Sequence, residues 1–226
     1  KEAERSIKKC NDAGMKMCGT VSTIWGSPIG GATCMKDAVE FTRRWLDIGA
    51  HDVEHADHDG SASAPDVYRY FSMVLDELPD TKLHIAHFHE TKRVASASIL
   101  AALQAGITHF EATLGGLGGL PANFIDDCPV KGTGEYYYKD PRYVGLVTLE
   151  DTLVQIDEMG IEHGWDVDRV LKLGTQLEKT FGRRLRSVAI MNGRTAKYGH
   201  LEYARPGLAE LKKKLGESPE QKFPSS

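Results

Sequence analysis

Three times in the first 110 residues a helical pattern stops at a glycine and an extended run begins at once: GMKMCG from Gly14, GAHDV from Gly49 and GITHF from Gly106. Glycine takes the left-handed backbone that closes a helix, because it has no Cβ to clash. A recurring order of helix, glycine and strand points to a parallel sheet, in which each strand reaches its neighbour through a helical crossover. Periodicity places strands at Met15–Ile24, His51–Ala56, Lys82–Phe88 and Ile107–Leu114. Helices are expected at Lys1–Ala13, Met35–Leu46, Pro65–Leu78, Val94–Gln104, Leu149–Met159 and Asp166–Phe181. The fold class read from this alternation is α/β. Polar and glycine-rich segments follow the strands: WGSPIGG, HDGSASAP, HETK and LGGLGGLP. In α/β folds that end of the sheet carries the chemistry.

The third expected strand ends in His87-Phe88-His89. Residues i and i+2 of a strand share a face, so both imidazoles project to one side. Two neutral imidazoles there suit a divalent cation; two histidines in structural roles are the alternative. The second strand runs into Glu54-His55-Ala56-Asp57-His58-Asp59-Gly60. With Val53 facing the interior, His55 and Asp57 face it too, and an inward carboxylate needs a cation or hydrogen-bond donors. Asp57 is therefore a site candidate, while Asp59 reads as a hydrogen-bonded loop residue before the helix at Pro65. After the fourth strand, Gly118, Gly119 and Leu120 lie in a glycine-rich loop that allows close approach to a substrate, or serves as a flexible connection. Its spacing is not that of a dinucleotide fingerprint.

Composition narrows the partners. The chain has 226 residues, enough for one sizeable core, and a formal net charge of -4 with a pI near 6.2. Its 28 Lys and Arg are dispersed, which favours neither nucleic acid nor an anionic membrane. No run of 18 apolar residues offers a membrane span. The four cysteines form no C-x-x-C pair, which argues against structural zinc and a disulfide framework and points to a reducing, cytoplasmic setting.

Over nearly all of residues 3–195 the chain resembles the 3-hydroxy-3-methylglutaryl-CoA lyase family, within the metal-dependent lyases and acyltransferases. The resemblance rests on GTVSTIWGSPIGG, ADHDG, HFHET followed by AALQAGITHFEA, and GGLGGLP, in that order and spacing. It implies a (β/α)₈ TIM barrel of which this chain holds the last four units, residues 1–195, followed by a C-terminal extension at 196–226 of low order at its end. It implies Mg²⁺ or Mn²⁺ at His87 and His89, Asp57 in the substrate site, and an acyl-CoA or hydroxy-acid substrate. The expected activity is carbon–carbon bond cleavage, with catalytic candidates Asp57, His58 and His87. His58 stands where the lyases carry a small hydroxyl residue; a solvent-facing loop histidine is its other reading. His55 and a loop tyrosine are further proton-transfer candidates.

The chain also departs from that pattern. The family's opening Arg-Asp motif on the first strand has no counterpart, so the chain is expected to be part of a longer protein or to be joined by a second chain. Four strands cannot close a barrel, and open edges predict a homo-oligomer. Leu120 replaces the family's loop cysteine, and Leu146 replaces an asparagine near the metal. Tyr136, Tyr137 and Tyr138 occupy a lengthened loop, expected to act as a lid, with Cys128 upstream. A Claisen-type synthase or an aldolase on the same barrel, and a non-catalytic paralogue, are the competing readings.

Overall fold

The computed structural model describes residues 1–26, 31–119, 123–125, 128–130 and 145–194, with only the backbone of 123–125 and 128–130. Leu120, Tyr136–Tyr138, the Cys128 side chain and the C-terminal extension from residue 195 therefore lie outside the described residues. The chain divides into Lys1–Ile190 and Met191–Ser226. The sheet and its helices belong to the first unit.

The elements alternate as the glycine punctuation requires. Helix α1 (Glu2–Asp12) leads to strand β1 (Cys18–Ser22), α2 (Met35–Asp47) to β2 (Asp52–Asp57), α3 (Ala64–Glu77) to β3 (His84–Phe88), and α4 (Ala95–Ala105) to β4 (His109–Glu111). A short antiparallel hairpin, β5 (Asn123–Ile125) and β6 (Cys128–Val130), falls in the segment read from sequence as loop. Helices α5 (Leu149–Glu158), α6 (Val167–Phe181) and α7 (Val188–Asn192) follow. The order β1-β2-β3-β4 is parallel throughout. Caps follow local chemistry. The Ser63 hydroxyl accepts from Asp66 N at 3.3 Å and the Asp166 carboxylate from Arg169 N at 3.0 Å, each satisfying an N–H that has no helical partner. Gly106 closes α4 at φ 108.

The two faces of the sheet are unlike. Val53, Ala86 and Phe88 point toward the helices and pack with Val39 of α2, Val67, Tyr70, Phe71 and Val74 of α3, and Ile99 and Ala102 of α4. The small residues of α4 let it lie close on α3 and β3. This differs from the expectation that Val53 faces the interior. In a parallel sheet both faces are covered, so period-2 patterning does not say which face is which. The helix layer is the apolar one and takes the valine.

His55 shares the Val53 face and is fully buried in this layer. Its partners fix every proton in a chain. His84 Nε2 meets the Leu78 carbonyl at 2.9 Å, and a carbonyl only accepts, so His84 Nε2 carries the hydrogen. Neutral His84 then accepts at Nδ1 from His55 Nε2–H at 3.1 Å, and His55 accepts at Nδ1 from the Tyr70 hydroxyl at 2.8 Å. Burial pushes both imidazoles below the ordinary histidine value of 6.5, and the adjacent His84 ring further disfavours a charge on His55.

The unfolded chain takes up protons at these histidines below pH 6.5 and the folded chain does not. Their stabilisation is therefore complete above 6.5 and is lost as pH falls through the depressed folded values. Asp57 and other buried acids, raised on burial, work in the opposite direction, so a site-resolved measurement is needed. Ring nitrogen NMR at about pH 6, just below the free-imidazole value, should find both histidines neutral with hydrogen on Nε2. An imidazolium at either position would refute the chain.

Candidate metal and lyase site

Opposite the apolar layer, the other face of the sheet carries polar residues. Parallel register sets Thr20 beside Glu54, Ala56 beside His87, and His87 beside Glu111. Alternation puts Glu54 and Ala56 on this face of β2, and the glutamate side chain reaches upward to His87. Its Oε1 lies 2.8 Å from His87 Nδ1, and Glu111 Oε2 lies 2.7 Å from the same nitrogen. The Thr20 hydroxyl donates to Glu54 Oε2 at 3.1 Å. Donor atoms of Glu54, His87 and Glu111 all fall within 4.8 Å of one another, a spacing that can hold a metal ion.

Electrostatics follows from this geometry. Burial alone would lower the His87 pKa, but the Glu111 and Glu54 carboxylates outweigh it and hold the ring up at about 9. The hydrogen bond with His87 in turn draws the Glu54 carboxyl below its usual value, against the effect of burial.

His89, one residue past β3, lies ring to ring 5.0 Å from His87. Its Nδ1 meets the Asp57 backbone carbonyl at 2.7 Å, so Nδ1 carries the hydrogen and Nε2 keeps the lone pair in the neutral ring. Burial lowers its pKa despite that bond, keeping it neutral. A metal-ligating histidine has this arrangement, with the remote nitrogen tied to an acceptor that fixes tautomer and orientation. His87 and His89 thus project together, as the H-x-H spacing implies, with Phe88 between them turned into the core.

The other sequence candidates distribute as follows. Asp57 is 2 % exposed, and its carboxylate accepts from Ser61 N at 3.2 Å and Ala62 N at 3.0 Å, in the loop after β2. Burial pushes this carboxyl up to about 6. His58 lies ring to ring 6.5 Å from His89, its pKa lowered by burial. His55 is carried away from the site, into the helix layer. The two loops are pressed together at Gly60, which has φ 67, and a Cβ there would lie 2.7 Å from the His89 carbonyl oxygen. Gly119 backbone lies beside the His89 ring, and Gly118 packs under Leu146, where a Cβ would meet Leu146 Cδ1 at 2.9 Å. Leu146 itself bridges antiparallel to His89, held by Glu90 N donating to Gly145 O at 2.7 Å and Val147 N to Phe88 O at 3.0 Å. Its side chain brings no donor atom to the site.

Glu54 and Glu111 were not singled out from the sequence. Their signal was available in the parity of β2 and β4 relative to His87, once the strands are aligned in parallel. A cleft of about 880 Å³ adjoins Glu111, lined by Phe110, Leu146, Leu153 and Trp165 among others. That volume is in the range of small-molecule sites. Among the described residues no helix is long and apolar enough to cross a membrane.

Known proteins resemble this chain in sequence and in fold. The HMGL-like family model matches residues 1–176. The chain is 27% identical over 183 residues to a hydroxymethylglutaryl-CoA lyase of Pseudomonas mevalonii, covering 81% of this chain and 55% of that protein. It is 29% identical over 165 residues to an (R)-citramalyl-CoA lyase of Chloroflexus aurantiacus, covering 73% of this chain and 46% of the relative. The chain thus spans about half the length of the curated relatives it matches. Among solved structures, an HMG-CoA lyase from Acinetobacter baumannii, in complex with coenzyme A and 3-methylmalate, superposes with a TM-score of 0.73 at 26% identity, over 86% of this chain and 57% of that one. The four parallel strands and their helices therefore correspond to part of a TIM barrel.

Proposed function

The chain belongs to the HMGL-like family, and on that footing we propose that it serves a divalent-metal-dependent carbon–carbon lyase acting on a 3-hydroxyacyl-CoA or a related hydroxy acid. The observation that carries this reading is the His87–His89 pair at the C-terminal end of β3. Each ring has its Nδ1 engaged, by carboxylates at His87 and by the Asp57 carbonyl at His89. The metal is Mg²⁺ or Mn²⁺, since carboxylates, imidazoles and open positions for substrate oxygens suit an octahedral ion. Such an ion supplies a Lewis acid that polarises the substrate's hydroxyl and carbonyl oxygens.

The chain's own groups supply the proton transfers. His58, held neutral by burial beside His89, takes the proton of the substrate's 3-hydroxyl. The bond between C2 and C3 breaks, its electron pair passes into the thioester enolate, and C3 becomes a carbonyl carbon. The proton held by His58 returns to C2. Asp57 orders the loop that presents His58, through Ser61 N and Ala62 N. Gly119, whose backbone reaches the His89 ring, forms the proposed substrate-binding segment together with Gly118 and Leu120 of the same loop.

Lyase and synthase readings separate in one assay. Chelator-stripped protein, reloaded with Mg²⁺ or Mn²⁺, is offered 3-hydroxy-3-methylglutaryl-CoA and citramalyl-CoA, and release of the shorter acyl-CoA is followed. Cleavage that vanishes with chelator and returns with metal is expected. No cleavage, with free CoA released instead from acetyl-CoA plus a 2-oxo acid, would assign the protein to Claisen condensation.

A further inference from the structure

We propose that the cleft beside β4 holds an apolar chain carried on C3 of the substrate, so that the preferred substrate bears a hydrocarbon tail there rather than a methyl group. This rests on the lyase reading above and adds a substrate class to it.

The first argument is continuity. Two residues belong both to the site and to the cleft. Glu111 Oε2 lies 2.7 Å from His87 Nδ1, and Leu146 bridges to His89. Both also line the cleft, whose volume is about 880 Å³. A substituent leaving the reacting carbon on that side passes between them, along an apolar Leu146 side chain.

The second argument is direction. Leu149 N donates to Thr113 O at 2.9 Å, so helix α5 starts where β4 ends. The helix then runs back along the strand, since Ile156 near its end and Thr108 ahead of β4 both line the cleft. From Thr108 to Thr113 an extended chain spans roughly 15 Å. The cleft is therefore an elongated trough with its inner end at the site, the shape of an alkyl chain.

The third argument is the chemistry of the walls. Ile99, Leu103 and Phe110 on one side belong to the main core, and Leu149, Leu153 and Ile156 on the other to a second apolar cluster. Protein interiors close to the density of organic crystals, so a trough between two apolar clusters marks a ligand groove rather than ordinary packing. The acidic side chains sit at the ends, Glu111 at the site and Glu162 beyond the end of α5. None of the described lining residues is Lys or Arg, so a second carboxylate or a phosphate finds no partner there. Each methylene taken from water into such walls strengthens binding about fourfold.

The first test needs no turnover. The octanoyl thioester of N-acetylcysteamine, which has no hydroxyl to cleave, is titrated while tryptophan fluorescence is followed. Trp165 lines the cleft and is 56% exposed. A bound chain should shift its emission to shorter wavelength, saturably, and Trp165→Phe should abolish the change. Leu103→Gln and Ile156→Gln each put a polar group on one wall at a partly exposed position. Each should weaken the probe at least about fivefold, with circular dichroism checking the fold. The second test is turnover, by metal-loaded protein, of 3-hydroxyacyl-CoAs bearing methyl, butyl or octyl on C3. The methyl compound should be cleaved, and kcat/KM should rise at least about tenfold from methyl to butyl without falling again for octyl. Cleavage confined to the methyl compound, or a Trp165 emission unmoved by the probe, would overturn this inference and leave the lyase reading standing. Saturable binding at Trp165 with no cleavage of any compound would uphold the cleft as an alkyl site and overturn the lyase reading.

Discussion

A His87→Ala/His89→Ala double variant is expected to lose Mn²⁺ and at least about 1000-fold in kcat, while keeping its fold. The magnitude follows from the Lewis-acid contribution, several kcal/mol of transition-state stabilisation, at about 1.4 kcal/mol per tenfold in rate. Retention of the fold follows from where the rings lie. Both project from the sheet's polar face, and neither belongs to the apolar cluster beneath the helices. Full activity of the double variant, assayed after metal reloading, would remove the basis for a metal-dependent lyase.

Phe88 lies between them and should behave in the opposite way. Its ring is 1% exposed and packs in the main core, with its centroid 6.2 Å from that of Trp25. Phe88→Ala should cost about 3–5 kcal/mol, through lost burial and the cavity left behind. For a chain of this size that is a fall in Tm of roughly 10 °C. Mn²⁺ affinity, measured well below the new Tm, should stay within about threefold of wild type, since no donor atom is removed. A Phe88→Ala variant with unchanged melting would mean that β3 is turned over, and the placement of both imidazoles would fall with it.

These contrasting effects at adjacent residues mark what the sequence could and could not convey. Strand positions were legible because glycine and helical periodicity bound them: expected strands at His51–Ala56 and Lys82–Phe88 stand at Asp52–Asp57 and His84–Phe88. The shared face of His87 and His89 was legible because a strand's period is 2. The face of β2 was not. Asp52-Val53-Glu54-His55 alternates cleanly, but alternation has no sign, and both faces of a parallel strand are covered. Choosing Val53 as interior hid Glu54 and promoted His55. Glu111 stayed hidden for a related reason: its role depends on register against His87, a relation between strands 24 residues apart. The hairpin at Asn123–Ile125 and Cys128–Val130 was also missed, because each strand is too short for a periodic signal.

Asp57 bears two loads through different atoms. Its carboxylate anchors Ser61 and Ala62, and its main-chain carbonyl holds the His89 ring. An aspartate here is thus the common footing of two loops, as a keystone serves both halves of an arch. Any residue could offer that carbonyl, but only the carboxylate also pins the loop that follows. Loss of the carboxylate alone would therefore disturb the aim of the His89 ring, although that ring meets only the main chain of Asp57.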